Sequence, residues 1–71
     1  MRFNIYGRMT IQITRLDNQW CAFHVSHDGK RRPVNELHIP ANTPEAELIT
    51  LLDDVYHEWA TLKNNQITRL D

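Results

Sequence analysis

One cysteine and two histidines stand at a spacing that could hold a metal ion. Cys21, His24 and His27 form a C-x-x-H-x-x-H pattern, and thiolate and imidazole are common zinc ligands. Residues three apart on a strand point to opposite faces, so Cys21 and His24 could reach one ion only across a bulge. The pattern is therefore interpreted as a small buried cysteine and two surface histidines, and we expect no metal and no other cofactor.

A second polar group occupies the C-terminal half, at Asp53, Asp54, His57 and Glu58. Asp53 and His57 are four residues apart and would share one face of a helix, as an acid/base pair requires. That face lies opposite an apolar stripe, which favours ordinary solvated charges. The chain also lacks a phosphate loop, a nucleotide fingerprint and a nucleophile motif. We therefore expect a protein that is not an enzyme.

Length and composition restrict the class of protein. The chain has 71 residues, 41% of them hydrophobic, which predicts one domain over residues 1–71. So short a chain buries only about 60% of its unfolded surface, so a homodimer would be a natural source of added stability. The single cysteine, the lack of a signal-like N-terminus and the lack of a long apolar run predict a cytoplasmic protein outside the membrane.

Period-2 alternation marks the first element. Between residues 3 and 13 the apolar side chains fall on odd positions, which predicts one half-buried strand with Gly7 as a bulge or bend. The even positions, among them Tyr6 and Arg8, would face outward. The predicted core residues are Phe3, Ile5, Met9, Ile11 and Ile13.

Two turns divide the next segment. The LDNQ sequence at residues 16–19 predicts a turn because Asp and Asn tolerate left-handed backbone angles, and Asp28-Gly29 predicts a hairpin. Between them, residues 20–26 predict a second strand. Cys21, Phe23 and Val25 are assigned to its core side, whereas Trp20, Ala22 and His24 are assigned to the outer face.

A third strand is predicted within residues 31–40. Leu37 and Ile39 alternate there with Glu36 and His38, and Pro33 implies a short strand or a sheet edge, since proline lacks a ladder donor.

One helix is predicted over residues 44–63. Thr43 can serve as its N-cap and Pro44 as its first residue, and Asn64 or Asn65 can cap its C-terminus. Its apolar stripe comprises Leu48, Leu52, Val55, Trp59 and Leu62,. The predicted fold class is therefore α+β: a three-stranded antiparallel meander with one C-terminal helix packed across one face (β-β-β-α) and a short extended C-terminal tail.

The hexapeptide QITRLD occurs twice, at residues 12–17 and 66–71. It is too short for a repeat architecture. Both copies are interpreted as strand-forming segments anchored by Ile and Leu, and the second could add a fourth strand or lie along a sheet edge, in this subunit or a neighbouring one.

Aromatic and basic residues define the predicted binding surface. On the predicted outer face and the hairpin these are Tyr6, Arg8, Trp20, His24, Lys30, Arg31 and Arg32. Such residue types stack on bases and contact phosphates, and they also form protein hot spots; a solvated basic hairpin is the third interpretation. The net charge is −1 and residues 36–62 hold acids without Lys or Arg. Because nucleic-acid modules are usually strongly basic, a protein partner is favoured, with nucleic acid bound through Lys30, Arg31 and Arg32 as the alternative.

The segments FNIYGR, DGKRR, HIP and YHEWAT, with the Trp20 strand, resemble in order and spacing a family of short uncharacterised bacterial proteins with a domain of unknown function. The resemblance covers nearly the whole chain and carries no established activity; it nominates Tyr6, Arg8, Arg31, Arg32 and His57. The resulting hypothesis is a small cytoplasmic, non-enzymatic interaction or regulatory module, such as a phage or mobile-element inhibitor or adaptor.

Overall fold

A computed structural model describes residues 1–35 and 37–71 of the chain. It contains one five-stranded antiparallel sheet with strand order β4-β3-β2-β1-β5 and one α-helix on one of its faces. The strands are β1 (Arg2–Ile5), β2 (Met9–Leu16), β3 (Gln19–Val25), β4 (Arg31–Pro33) and β5 (Ile67–Arg69), and the helix is α1 (Leu48–Tyr56). The prediction of a three-stranded meander is therefore wrong.

The first predicted strand is a hairpin of two strands. Tyr6 and Gly7 have φ values of 54° and 70°, as a type I′ turn requires, and the Arg8 N–H donates to the Ile5 carbonyl at 2.9 Å. Ile5 lies opposite Met9, so odd-numbered residues stay on the same face before and after the turn. The alternation in the sequence therefore continues through the hairpin, and the period-2 pattern does not distinguish this turn from a bulge.

The C-terminal segment forms the fifth strand, which pairs antiparallel with β1. In both copies of QITRLD the isoleucine faces the core: Ile13 is fully buried and Ile67 packs against the core from the edge. The leucines are not anchors, since Leu16 and Leu70 are 57% and 54% exposed.

A two-residue turn joins β2 to β3, which confirms the predicted turn at residues 16–19. Asp17 and Asn18 have φ values of 50° and 62°, and the turn places Ala22 opposite Ile13 and His24 opposite Ile11. Because partners in an antiparallel pair share a face, the even residues of β3 face the core side. The predicted placement of β3 is therefore reversed: Trp20, Ala22 and His24 lie on the helix side, and Cys21, Phe23 and Val25 on the other.

The predicted hairpin at Asp28-Gly29 is confirmed. The Gly29 N–H donates to the Ser26 carbonyl at 3.0 Å, and Gly29 has a φ of 84°. The strand that follows has three residues and forms one edge of the sheet, as Pro33 predicted. Leu37 and Ile39 are buried in the core, whereas the predicted outward position of Glu36 lies outside the described residues.

The helix is shorter than predicted. A 3₁₀ helix at Glu45–Glu47 precedes α1, and another at His57–Trp59 follows it. The helical segment begins after Pro44 and ends at Ala60, and neither end has a side-chain cap, so Thr43 and Asn64 are not its capping residues. Leu48 and Leu52 are buried as predicted, but Val55 and Trp59 are each 45% exposed and Leu62 is wholly exposed. None of the described helices has the length and apolar character needed to cross a bilayer.

Tyr6 lies in the core with no exposed surface, contrary to its predicted outward placement. Its hydroxyl donates a hydrogen bond to the Asp53 carboxylate of α1, so the first turn and the helix are joined. The predicted core side of β1 and β2 is otherwise confirmed, because Phe3, Ile5, Ile11 and Ile13 are at most 1% exposed.

Candidate functional site: the open face of the sheet

Half of the strand residues point away from α1. Their placement follows from the register, since Gln12 lies opposite Phe23 and Thr10 opposite Val25, while the helix and the buried loop residues join the core on the other side. We call this surface the open face. It comprises Arg2, Asn4, Thr10, Gln12, Thr14, Leu16, Gln19, Cys21, Phe23, Val25, Arg31, Pro33, Thr68 and Leu70.

The apolar residues of β3 lie on the open face rather than in the core. Cys21, Phe23 and Val25 are all half-buried there, and Ala22 is the residue that packs on the core side of this strand. Pro33 lies beside Phe23, and Leu16 and Leu70 add further exposed apolar surface on the same face. The strand thus presents three partly buried apolar side chains on the open face rather than in the core.

Charge on the open face is sparse and of one sign. Among the strand residues that the structure describes, Arg2 and Arg31 carry the charges of this face. The Arg31 guanidinium lies 5.3 Å from the centroid of the Phe23 ring, a cation–π contact that leaves the ring partly accessible. The acidic side chains of α1 and its flanking turns lie on the opposite side of the sheet, together with Arg15, Arg32 and Arg69.

A shallow hollow of about 420 Å³ opens on this face between the β1–β2 end and the β3 end, with Asn4, Thr10 and Val25 in its floor. On the same face, the Gln12 side-chain oxygen is buried without a hydrogen-bond partner in the described part of the chain. An unsatisfied buried acceptor costs about 1–3 kcal/mol, so a donor from a bound molecule would recover this loss.

The structure separates the residues that the sequence grouped into one binding surface. Tyr6 is in the core, and Trp20 lies on the helix side, where its indole N–H donates to the Thr43 carbonyl at 3.0 Å and the Arg15 guanidinium covers its ring at 4.7 Å. Arg8 is exposed at the helix end, 5.1 Å from the Trp59 ring.

The basic run at the hairpin is divided between two faces. Arg31 pairs with Val25 on the open face, and Arg32 pairs with His24 on the helix side, because successive strand residues alternate. Lys30 lies in the turn, 3.9 Å from an Asp28 carboxylate oxygen. These three charges therefore do not form a single basic patch.

A larger hollow of about 660 Å³ lies at this hairpin, lined in part by His24, His27 and Arg32. Asp28 belongs to it as well, and hydrogen bonds from the Ser26 hydroxyl and the Lys30 backbone hold the pKa of this carboxyl below its ordinary value. The retained negative charge offsets the neighbouring cations.

The candidate metal and acid/base residues are also placed apart. Cys21 and His24 lie on opposite faces of β3, and Asp53 is engaged with Tyr6. Within residues 1–35 and 37–71, no group of three or more His, Cys, Asp or Glu side chains is arranged to hold a metal ion.

A family model for a domain of unknown function, DUF7661, matches residues 1–71. The chain belongs to this family. No curated protein and no solved structure matches the chain. The DUF7661 description attributes no activity to its members, so the functional argument depends on the surface itself.

Sequence reasoning missed Cys21, Phe23 and Val25 as open-face candidates, although a signal for them was present. In a two-residue hairpin with Leu16 opposite Gln19, odd residues of one strand face even residues of the other. Since the odd positions of β2 are the isoleucines, the turn length alone places Phe23 on the open face.

Proposed function

We propose that this DUF7661 protein is a small cytoplasmic, non-enzymatic module that acts as a homodimer and binds a protein partner through its open face. The observation that carries the proposal is the reversed placement of β3, which directs Cys21, Phe23 and Val25 away from the core. Apolar surface left exposed on a sheet, with few charges, is typical of a protein-binding site. A bacterial or phage-encoded inhibitor or adaptor would function through such a surface.

Two further features support a protein partner. Phe23 under Arg31 pairs an aromatic ring with an arginine, the residue types enriched in binding hot spots, and Gln12 offers an acceptor that no donor among the described residues satisfies. Nucleic acid through Lys30, Arg31 and Arg32 receives less support, because these side chains diverge and phosphate binding requires concentrated positive charge.

The test is selective loss of partner capture. Phe23→Asp places a charge at the centre of the open face, and Val55→Asp is the matched control, since Val55 is an apolar residue 45% exposed on α1. We expect immobilised wild type and Val55→Asp to retain the same partner from an extract of the native host, and Phe23→Asp to lose it. Capture by all three folded proteins alike would refute the open face as the binding site. Retardation of mixed DNA or RNA that weakens steeply with salt would instead support the nucleic-acid alternative.

A further inference from the structure

We infer that β5 is the edge through which two copies of this chain pair, antiparallel and centred on Thr68, to join their sheets into one. The inference rests on the homodimer of the proposed function and specifies its interface, which is the β5 edge of the sheet rather than the open-face surface around Phe23. The argument begins with the hydrogen-bonding groups of the two sheet edges.

The β5 edge carries backbone groups that no partner uses. The Leu70 N–H donates to the Arg2 carbonyl at 2.9 Å, so Leu70 and, two residues earlier, Thr68 form the hydrogen-bonded pairs with β1. Ile67 and Arg69 must then direct their N–H and C=O groups away from the sheet. Within the described residues no hydrogen bond takes up these outward groups.

The other edge of the sheet is protected in a way that β5 is not. In β4 the Val34 N–H donates to the Ala22 carbonyl, so the outward positions are Arg31 and Pro33. Pro33 has no N–H and blocks further pairing, a common protection of edge strands. The β5 edge contains no proline and can accept another strand.

The β5 edge is complementary to itself. With Thr68 opposite Thr68 of a second copy, Ile67 lies opposite Arg69 of the second copy, and each outward N–H meets an outward C=O. The two Thr68 side chains would lie side by side on the open face, a favourable cross-strand pair. Arg69 does not repel its counterpart strongly, since Glu45 and Asp71 hold its guanidinium at 3.8 and 3.4 Å within its own chain.

The helix side of the edge also has room for a second copy. A groove of about 270 Å³ lies between α1 and β5, and Ile49 is 38% exposed in its wall. A helix centred over β1 and β5 would lie about 10 Å from its symmetry mate, given a strand spacing of roughly 4.8 Å. That separation is within the ordinary range for packed helices, so edge pairing brings the two Ile49 side chains toward a shared apolar contact.

The decisive test uses charge at the symmetry axis, because Thr68 would contact its own counterpart. Thr68→Lys and Thr68→Glu each place like charges side by side, and we expect each to raise the dimer dissociation constant about tenfold or more in sedimentation equilibrium. An equimolar mixture of the two should restore the dimer. Thr14→Lys, on the same open face but on the interior strand β2, is the matched control and should dimerise as wild type.

A second pair of variants tests the backbone directly. Arg69→Pro removes an outward donor, whereas Arg69→Ala removes the same side chain and keeps the donor. We expect the proline variant to be monomeric and the alanine variant to remain dimeric, with unchanged circular dichroism for both.

Three outcomes would overturn edge pairing: a wild type that is monomeric at every concentration, a dimer that survives Thr68→Lys, or a mixture that fails to re-form the dimer. A monomer that still captures a partner in a Phe23-dependent manner would refute edge pairing and the homodimer but leave protein binding through the open face intact. A dimer that Thr68→Lys disrupts, together with partner capture that survives Phe23→Asp, would support edge pairing and refute the open-face proposal.

Discussion

The Tyr6 hydroxyl donates a hydrogen bond to the Asp53 carboxylate, and this contact joins the β1–β2 turn to the helix. Tyr6 is fully buried and has a positive φ of 54°, a conformation that costs a non-glycine residue roughly 1–2 kcal/mol. The turn therefore depends on the burial of this ring and on its hydroxyl contact. A residue that the sequence marks as an outward strand position is in fact a tertiary anchor.

Removal of the Tyr6 hydroxyl should destabilise the fold without altering it. We expect Tyr6→Phe to lower the free energy of unfolding by about 1–3 kcal/mol, because a part-buried hydrogen bond to a carboxylate is lost,. Urea denaturation measures the change. Asp54→Asn is the control, since this exposed neighbour should shift stability by less than about 0.5 kcal/mol; equal effects of the two changes would contradict the anchoring role.

The same hydroxyl predicts a loss of stability in alkaline solution. Burial, and then the hydrogen bond to Asp53, raise the pKa of Tyr6 from 10.0 to about 12. Because the folded-state pKa is the higher one, the stabilisation is fully present below about pH 10 and is lost as the pH rises toward 12. We expect the free energy of unfolding of wild type to fall more steeply in this window than that of Tyr6→Phe. Parallel curves would contradict the prediction, and tyrosinate absorbance provides the pKa itself.

Replacement of Trp20 should lower the stability of the fold, and not only affect partner binding. Its ring packs on the core side and its indole N–H bonds the Thr43 carbonyl. We expect Trp20→Ala to cost about 2–3 kcal/mol, since the side chain is half-buried and full burial would cost more. Trp20→Phe keeps most of the packing and should cost about 1 kcal/mol through the lost hydrogen bond. Thermal melts of the two variants measure these losses. A Trp20→Ala melting temperature equal to that of wild type would show that the ring does not contribute to the core.

The two glycines should differ in their tolerance of alanine. Both have positive φ, so each Gly→Ala change strains the backbone by about 1 kcal/mol. An added Cβ at Gly29 meets no atom of the described residues within 4 Å, whereas at Gly7 it lies 3.3 Å from the Asn64 side chain. We expect Gly7→Ala to be the more destabilising in chemical denaturation; the reverse order would show that Asn64 moves aside without cost.

Two leucines of the predicted helical stripe should differ in their contribution to stability, because one is buried and the other is exposed. Leu52 is fully buried and Leu62 fully exposed. We expect Leu52→Ala to cost about 2–5 kcal/mol and Leu62→Ala less than about 0.5 kcal/mol, as measured by urea midpoints. A large effect of Leu62→Ala would indicate that this side chain is buried in an assembly, which a repeat measurement at higher protein concentration would reveal.

Turn chemistry was the most informative local signal. Asp17-Asn18 and Asp28-Gly29 were predicted as turns and both are present, because residues that tolerate positive φ specify turns locally. The turn at Tyr6-Gly7 was missed, because tyrosine rarely adopts positive φ and only its burial against α1 makes that conformation favourable. Because this turn was missed, β1 and β2 were predicted as a single strand. The other additional strand is β5, which the second QITRLD segment forms by pairing with β1.

The candidate site was predictable only in part. Arg31 was nominated from the sequence and lies on the open face beside Phe23, but the other nominated residues are distributed among the core, the helix side and the turns. Hydrophobicity favoured Cys21, Phe23 and Val25 as core residues, and the hairpin register decided otherwise. A one-residue change of register exchanges the two faces of a strand, so composition alone does not assign them.

The sequence by itself determined the inward residues of β1 and β2, two of the turns and the buried leucines at the start of α1, because each is set by periodicity or by backbone preference within a few residues. Only the tertiary structure decided that β1 lies between β2 and β5 and that Tyr6 enters the core. These features depend on pairing between segments distant in the chain, where the free energy comes from burial and hydrogen bonds that no local pattern records.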